Sequence, residues 1–277
     1  MSEYQYVAFR AVDAPVSGKD LEFMREQSTR AKITPWSFDN EYHFGDFHGK
    51  ADEMLRRGYD FHLRYADFGI RKLMIRLPHG LSDATAAAPY FKREGIKFSK
   101  DRVGSGGLLC VQPYVEAGTL DDPDDLQGLI ERLVGLRKEI LDGDLRPLYL
   151  AHLAVISDCE HDPEEEKEGP VPGGLDRPTK AQLALAEFLG IDRKTVKSAA
   201  AKSPPLAKLK ESGDQYGKWL AAQPEKIKTA WLSQLMASPQ SEVRREILAE
   251  FRKSHSAQSW PTVRADRTVA QLIEAEE

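Results

Sequence analysis

Ile33-Thr34-Pro35-Trp36-Ser37-Phe38-Asp39-Asn40-Glu41-Tyr42-His43-Phe44-Gly45-Asp46-Phe47-His48-Gly49 is the stretch on which the reading of this chain turns. Its seventeen residues hold five aromatics, two histidines, three acids and two glycines. From 36 to 47 aromatic and polar residues alternate, which on a strand sends them to opposite faces. Phe38, Tyr42 and Phe44 then share one face, while Asp39, Glu41 and His43 share the other. Gly45 marks a bend, so the segment reads as one or two strands.

The same period of two runs through residues 4–12, where Tyr4, Tyr6, Ala8 and Arg10 alternate with Gln5, Val7, Phe9 and Ala11. It returns at 60–65, with Asp60, His62 and Arg64 opposite Phe61, Leu63 and Tyr65, and at 72–77, with Leu73, Ile75 and Leu77 on one face. Ala14-Pro15 breaks the first strand. Short helices are expected after Ser17 and over 50–57 and 82–92. Residues 95–100 and 108–115 read as a hairpin joined around Gly104-Ser105-Gly106-Gly107. Together these give a sheet with one face on the core and one face in water.

The texture changes after Pro123. Leu126, Leu129, Ile130, Leu133, Val134, Leu136, Ile140 and Leu141 recur at three- and four-residue steps, the mark of an amphipathic helix that Asp124 or Asp125 could cap. Residues 145–156 are nearly all apolar, which predicts a buried helix with His152 among aliphatics. Helical signals return over 179–189, 193–202, 206–222, 224–236, 241–253 and 267–275. Trp231, Leu232, Leu235 and Met236 read as a core stripe, and Trp260 as an anchor for the final segment. The fold expected is α+β: a mixed α/β sheet module over 1–118, then an all-α helical region over 119–277. Residues 159–178, acidic and then rich in Pro and Gly, form an exposed loop in this reading.

A chain of 277 residues with 41% hydrophobic and 30% charged residues can bury a sizeable core. Its net charge of −5 is unevenly spread. Residues 1–115 carry 17 Lys+Arg against 15 Asp+Glu, residues 116–168 carry 5 against 16, and residues 178–254 carry 14 against 8. No apolar run approaches the roughly 18 residues of a membrane span, and the first residues do not resemble a secretory signal. Cys110 and Cys159 belong to no CxxC pattern and read as free thiols of the cytoplasm.

The candidate chemistry is sparse. If the strands around His43 and His62 pair, Glu41, His43, Asp60 and His62 could converge for metal binding or acid–base work. A plain solvated face explains the same alternation. Asp46 and His48, beside Gly45 and Gly49, suit a turn. The glycine loop at 104–107 is followed by a strand rather than a helix and lacks Gly-Lys-Ser/Thr, so a hairpin turn is favoured over a phosphate cradle. Cys159, His161 and His152 lack the second close pair that structural zinc uses. No resident metal or cofactor is expected.

Residues 182–199 resemble the helix-turn-helix of DNA-binding regulators, with Ala186 at the close approach, Gly190 at the turn and Val196 tucked back. Arg193, Lys194 and Lys197 would face phosphates. The second helix then runs into Ala199-Ala200-Ala201 without Asn, Gln or Arg to read bases, and the whole chain is acidic. Nucleic acid is therefore disfavoured as a partner.

Tyr4-Gln5-Tyr6, Ala14-Pro15, Ile33-Thr34-Pro35, Asn40-Glu41-Tyr42, Gly45-Asp46-Phe47, residues 71–78 and Gly143-Asp144-Leu145-Arg146 together look like an uncharacterised bacterial family. The resemblance implies a bacterial cytoplasmic protein and brings no activity or cofactor. The reading favoured by the sequence is a non-catalytic protein-binding or scaffold protein. Its protein partners would meet the aromatic–acidic surface of Trp36, Tyr42, Asp46 and His48, or the acidic segment near 159–168. The enzyme built on Glu41, His43, Asp60 and His62 and the nucleic-acid regulator are the alternatives.

Overall fold

The computed structural model describes residues 4–114, 120, 125–157, 162–206, 213–237, 243, 246–247, 250–251 and 260–274. Seven strands form one antiparallel sheet: β1 (Gln5–Arg10), β2 (Lys32–Ile33), β3 (Ser37–Tyr42), β4 (Phe61–Ala66), β5 (Ile70–Leu77), β6 (Ile96–Lys100) and β7 (Gly107–Val111). Their spatial order is β2-β3-β1-β4-β5-β7-β6. Helix α1 (Gly18–Glu26) follows β1, α2 (Ala51–Arg56) follows β3, and α3 (Ala84–Ala87) with a 3₁₀ turn at Ala88–Phe91 follows β5. The rest is mostly helical: α4 (Leu126–Leu133), α5 (Gly135–Leu141), α6 (Arg146–Ile156), α7 (Lys180–Leu189), α8 (Arg193–Ala200), α9 (Gly213–Ala222), α10 (Glu225–Ala237) and α11 (Val269–Glu274). A two-residue pair, β8 (Val171–Pro172) with β9 (Thr262–Val263), completes the described elements. The fold is α+β.

The strands lie where the alternation puts them, but the sheet has no wet face across its centre. All six residues of β1 are buried. Tyr6, Ala8, Phe61, Leu63, Leu73 and Ile75 pack into the core that also holds Leu129, Leu133, Leu136, Tyr149, Leu153 and Phe188 from α4 to α7. Val7, Phe9, Phe38, Met74 and Leu108 on the other face pack with Met24 of α1, Met54 and Leu55 of α2, Phe47 and Tyr59. The expected half-solvated sheet is corrected on this point. β1 is apolar on both faces, and two short helices cross the side expected to meet water.

The change of texture near 118 separates sheet from helices inside a single compact unit, residues 1–205 with 260–277. A second unit spans 206–259. Its core stacks Trp219 on Trp231, ring centroids 5.5 Å apart, with Phe251 against them. Leu232 is exposed and Met236 is 90% exposed, so the predicted stripe reduces to Trp231 and a half-buried Leu235. A four-residue step keeps 231 and 235 on one face and turns 232 and 236 away.

The helix predicted over 126–141 is two, α4 and α5, meeting at Val134-Gly135. Asp125 caps the first, its Oδ1 accepting Gly128 N at 3.2 Å. The 159–178 stretch is also corrected. Cys159 and His161 lie outside the described residues. Residues 162–165 are exposed, but Glu166 and Glu168 are buried, as are residues 171–175. Glu166 pairs with Arg93 at 2.5 Å, and Glu168 pairs with Arg267 at 2.5 Å while accepting the Tyr149 hydroxyl at 2.7 Å. Acidic residues that read as a solvated run are thus held by cations distant in sequence. Trp260 donates from Nε1 to Gly173 O at 3.0 Å and lies 5.3 Å from the Arg146 guanidinium, an anchor as expected.

Candidate functional site

The four ionisable candidates of the sheet do not meet. β1 lies between β3 and β4, with Phe9 opposite Phe38 on one side and His62 on the other. Residues opposite one another share a face, so His62 and Arg64 lie with Phe38 and Asn40. Asp39 and Glu41 lie on the reverse with Tyr6 and Ala8. His43, just past β3, is exposed and leans on the Tyr4 ring, tilted, with centroids 5.6 Å apart. His62 is 1% exposed and stacks on Phe9 at 4.1 Å, with Nδ1 3.1 Å from Ala8 O. Burial drives its pKa down to about 3, helped by the nearby Lys72 and Arg64 and opposed by the Ala8 carbonyl. Among the described residues no three His, Cys, Asp or Glu side chains gather where they could hold a metal ion.

Asp60 sits at the start of β4 inside an ionic network. Its Oδ1 meets Arg137 Nη2 at 2.8 Å, and its Oδ2 accepts Val12 N at 2.7 Å and Asp13 N at 3.1 Å. Burial pulls this carboxyl upward in pKa, while Arg137 and the two amides pull it down. Arg137, 1% exposed at its side chain, also bonds Asp13 at 2.7 Å and donates from Nε to Arg76 O at 2.8 Å. Arg76 continues to Asp101 at 2.7 Å, and Asp101 binds Arg56. Nearby, Arg10 grips Asp39 with both Nη atoms, at 2.9 and 3.0 Å, and Glu131 with Nε at 2.6 Å, while Tyr6 donates to Asp39 at 2.7 Å. Charges spent this way fix the α4–α5 pair onto the sheet. The glycine turn belongs to the same end: a Cβ on Gly106 would meet Pro78 O, and the loop is the β6–β7 hairpin connection.

The opposite end of the sheet carries the exposed aromatics. Phe44 is 78% exposed, and Phe68 and Tyr114 also reach solvent. Register sets them along one end of the sheet: Tyr42 and Ala66 both stand opposite Gln5, and Tyr114 follows three residues after Val111, which stands opposite Leu73 of β5. The loop bearing Phe44 is fastened at several points. Asp46 Oδ1 accepts Phe47 N and Arg64 Nη2, each at 2.6 Å. Gln5 Nε2 donates to Gly45 O at 3.0 Å. Phe47 turns inward against Phe9, Phe38 and His62. A Cβ on Gly49 would lie 2.3 Å from the Phe47 ring, so any other residue there would have to displace that ring.

Of the residues predicted to bind, Tyr42 is half-buried, Asp46 is bonded to Arg64, and His48 is exposed. Trp36 is 49% exposed on a turn closed by Thr34, whose Oγ1 accepts Trp36 N at 3.1 Å and Ser37 N at 2.9 Å. It lies at the far end of β3, roughly 26 Å from Phe44 at the rise of a strand, so the two do not form one surface. Phe68 and Tyr114 were not among the sequence candidates. The available signal was Asp67-Phe68-Gly69, an aromatic in a turn where polar residues usually suffice.

In the 182–199 segment, α7 is a core helix with seven buried residues, opened by a Thr179–Gln182 capping box and closed by Gly190 at φ +72. α8 buries Thr195 and Ala199, and Arg267 Nη1 bonds Ser198 O at 2.9 Å. Arg193, Lys194 and Lys197 are exposed. No helix among the described residues is long and apolar enough to cross a membrane. No family model matches the chain, and no curated protein or solved structure matches it either.

Proposed function

We propose that the chain is a binding protein that receives a protein partner on the sheet end bearing His43, Phe44, Phe68 and Tyr114. The observation carrying this reading is the construction of the 43–49 loop. An aromatic left in water on a segment fastened by Asp46, Gln5, Phe47 and Gly49 loses little conformational freedom when it is covered, and such anchors dominate binding energy. Glu41 is exposed beside this end, so the fitting partner offers an apolar side chain with a cation next to it. The buried carboxylates and His62 are engaged in structural bonds, which leaves them little room for turnover chemistry.

The test is quantitative co-purification from cells that naturally make the protein, comparing wild type with Phe44→Asp/Phe68→Asp. One or more proteins bound stoichiometrically to wild type should fall at least tenfold with the double variant, whose far-UV circular dichroism stays unchanged. An identical bound set for both proteins, or a substrate turned over in a hydrolase screen in a way abolished by His43→Ala or His62→Ala, would refute the reading.

A further inference from the structure

His152 lies in the middle of α6, a helix buried along its whole length, and is 4% exposed. Neither ring nitrogen has a well-formed hydrogen bond among the described residues, although the backbone carbonyls of Tyr90 and Lys167 lie close to the ring. An imidazole left so costs stability that a phenylalanine or leucine would not. Across it runs the segment 166–172, drawn tight as a strap. A Cβ on Gly169 would lie 3.0 Å from the Tyr90 ring and 3.3 Å from His152 Cδ2, so the strap backbone rests directly on both rings. Its fastenings flank the histidine: Glu166 to Arg93, Glu168 to Tyr149 and Arg267, Pro170 O to the Tyr90 hydroxyl at 2.6 Å, and β8 to β9.

We propose that His152 is an acid-operated latch: while its imidazole is neutral the strap lies closed across α6, and protonation releases the strap. Among the described residues the surroundings offer a charged ring no uncommitted carboxylate, only the backbone carbonyls of Tyr90 and Lys167. The 3₁₀ turn and the residues just after it bring Tyr90, 5.9 Å between ring centroids, and the cations Lys92 and Arg93. The strap brings the Lys167 backbone, with Glu166 and Glu168 already engaged by arginines. α6 itself brings Tyr149, whose hydroxyl is bound to Glu168. Burial above all depresses the pKa of His152 to about 4; the Tyr90 carbonyl opposes it, Lys92 and Arg93 add to it, and the Lys167 carbonyl opposes it least. In the released state the ring regains an ordinary value near 6.5. The closed form is therefore fully favoured above pH 6.5 and loses ground as pH falls toward 4.

The experiment is hydrogen exchange on the full chain at pH 7.5 and 5.0, corrected for intrinsic rates. It tracks the strap-side amides of Glu168 and Val269, which bond Arg267 O and Glu166 O. Amides of β4 report global unfolding. Opening of the strap should rise roughly 25-fold between the two pH values, as one histidine shifted from 6.5 to about 4 requires, and the strap amides should exchange faster than those of β4 at both pH values. His152→Phe should flatten the strap response. An equal response in wild type and His152→Phe overturns the proposal. If that variant does not fold, a wild-type NMR titration decides: a His152 pKa of 6.5 or above, or strap amides that track β4 at both pH values, overturns it equally.

Discussion

An imidazole can be a catalyst, a ligand or a flat slab that fills space, and His62 is the third. Its sequence context, Asp60-Phe61-His62-Leu63-Arg64, alternates like a half-wet strand. What the pattern cannot state is which distant groups answer each polar side chain. Arg137 answers Asp60 from 77 positions away in the chain, and the Phe9 ring covers His62. Because the folded-state pKa is lowered to about 3, the unfolded chain binds the proton more readily between pH 6.5 and 3. Stability from the neutral ring is whole above 6.5 and is lost as pH falls through that window. At pH 5 the loss is roughly 2 kcal/mol. Urea denaturation at pH 7.5 and 5 should show His62→Phe losing less stability on acidification than wild type, by about that amount. Equal losses would mean that the ring is not held neutral by burial.

Among the elements, those whose periodicity was long were legible. β1, β4, β5, the β6–β7 hairpin and α6 to α8 stand where period or composition put them. Register was not legible, because it depends on which strand inserts between which. The register on β1 sets Glu41 of β3 and His62 of β4 on opposite faces. The exposed rim was half legible: the aromatic run of β3 announced it, but its neighbours Phe68 and Tyr114 come from elements that only the sheet order brings there. Helix α7 shows how local and remote bonds combine at one terminus. Thr179 Oγ1 accepts Gln182 N at 3.1 Å and donates to Glu139 at 2.7 Å, while Gln182 Nε2 reaches Glu139 and Asp144 at 2.8 and 3.1 Å. Removing the hydroxyl with Thr179→Ala should cost about 1–2 kcal/mol, seen as a lower urea midpoint with an unchanged slope. A Thr179→Ser variant should recover most of it; failure to do so would show that the methyl group, not the cap, was responsible.

For the whole molecule, the division into two compact units has a thermodynamic meaning. Residues 206–259 rely on a small cluster of Trp219, Trp231 and Phe251. Trp231→Ala removes its largest stack, and aromatic-to-alanine changes in a core cost about 3–5 kcal/mol. That exceeds what so small a cluster can spare. Amides of α10 should lose exchange protection while those of β4 and β5 keep theirs. Loss in both sets would mean that the units unfold as one.

The strand pair β8–β9 and the bridge from Arg267 to Glu168 tie residues beyond 260 back to the body that β1 opens. During translation, the sheet can assemble early, yet Glu168 must wait 99 codons for its guanidinium, and the Ser198 carbonyl at the end of α8 must wait 69. A message cut short after the helical unit would therefore yield a body with its seam open, recognisable to proteases at the point where the whole protein is sealed.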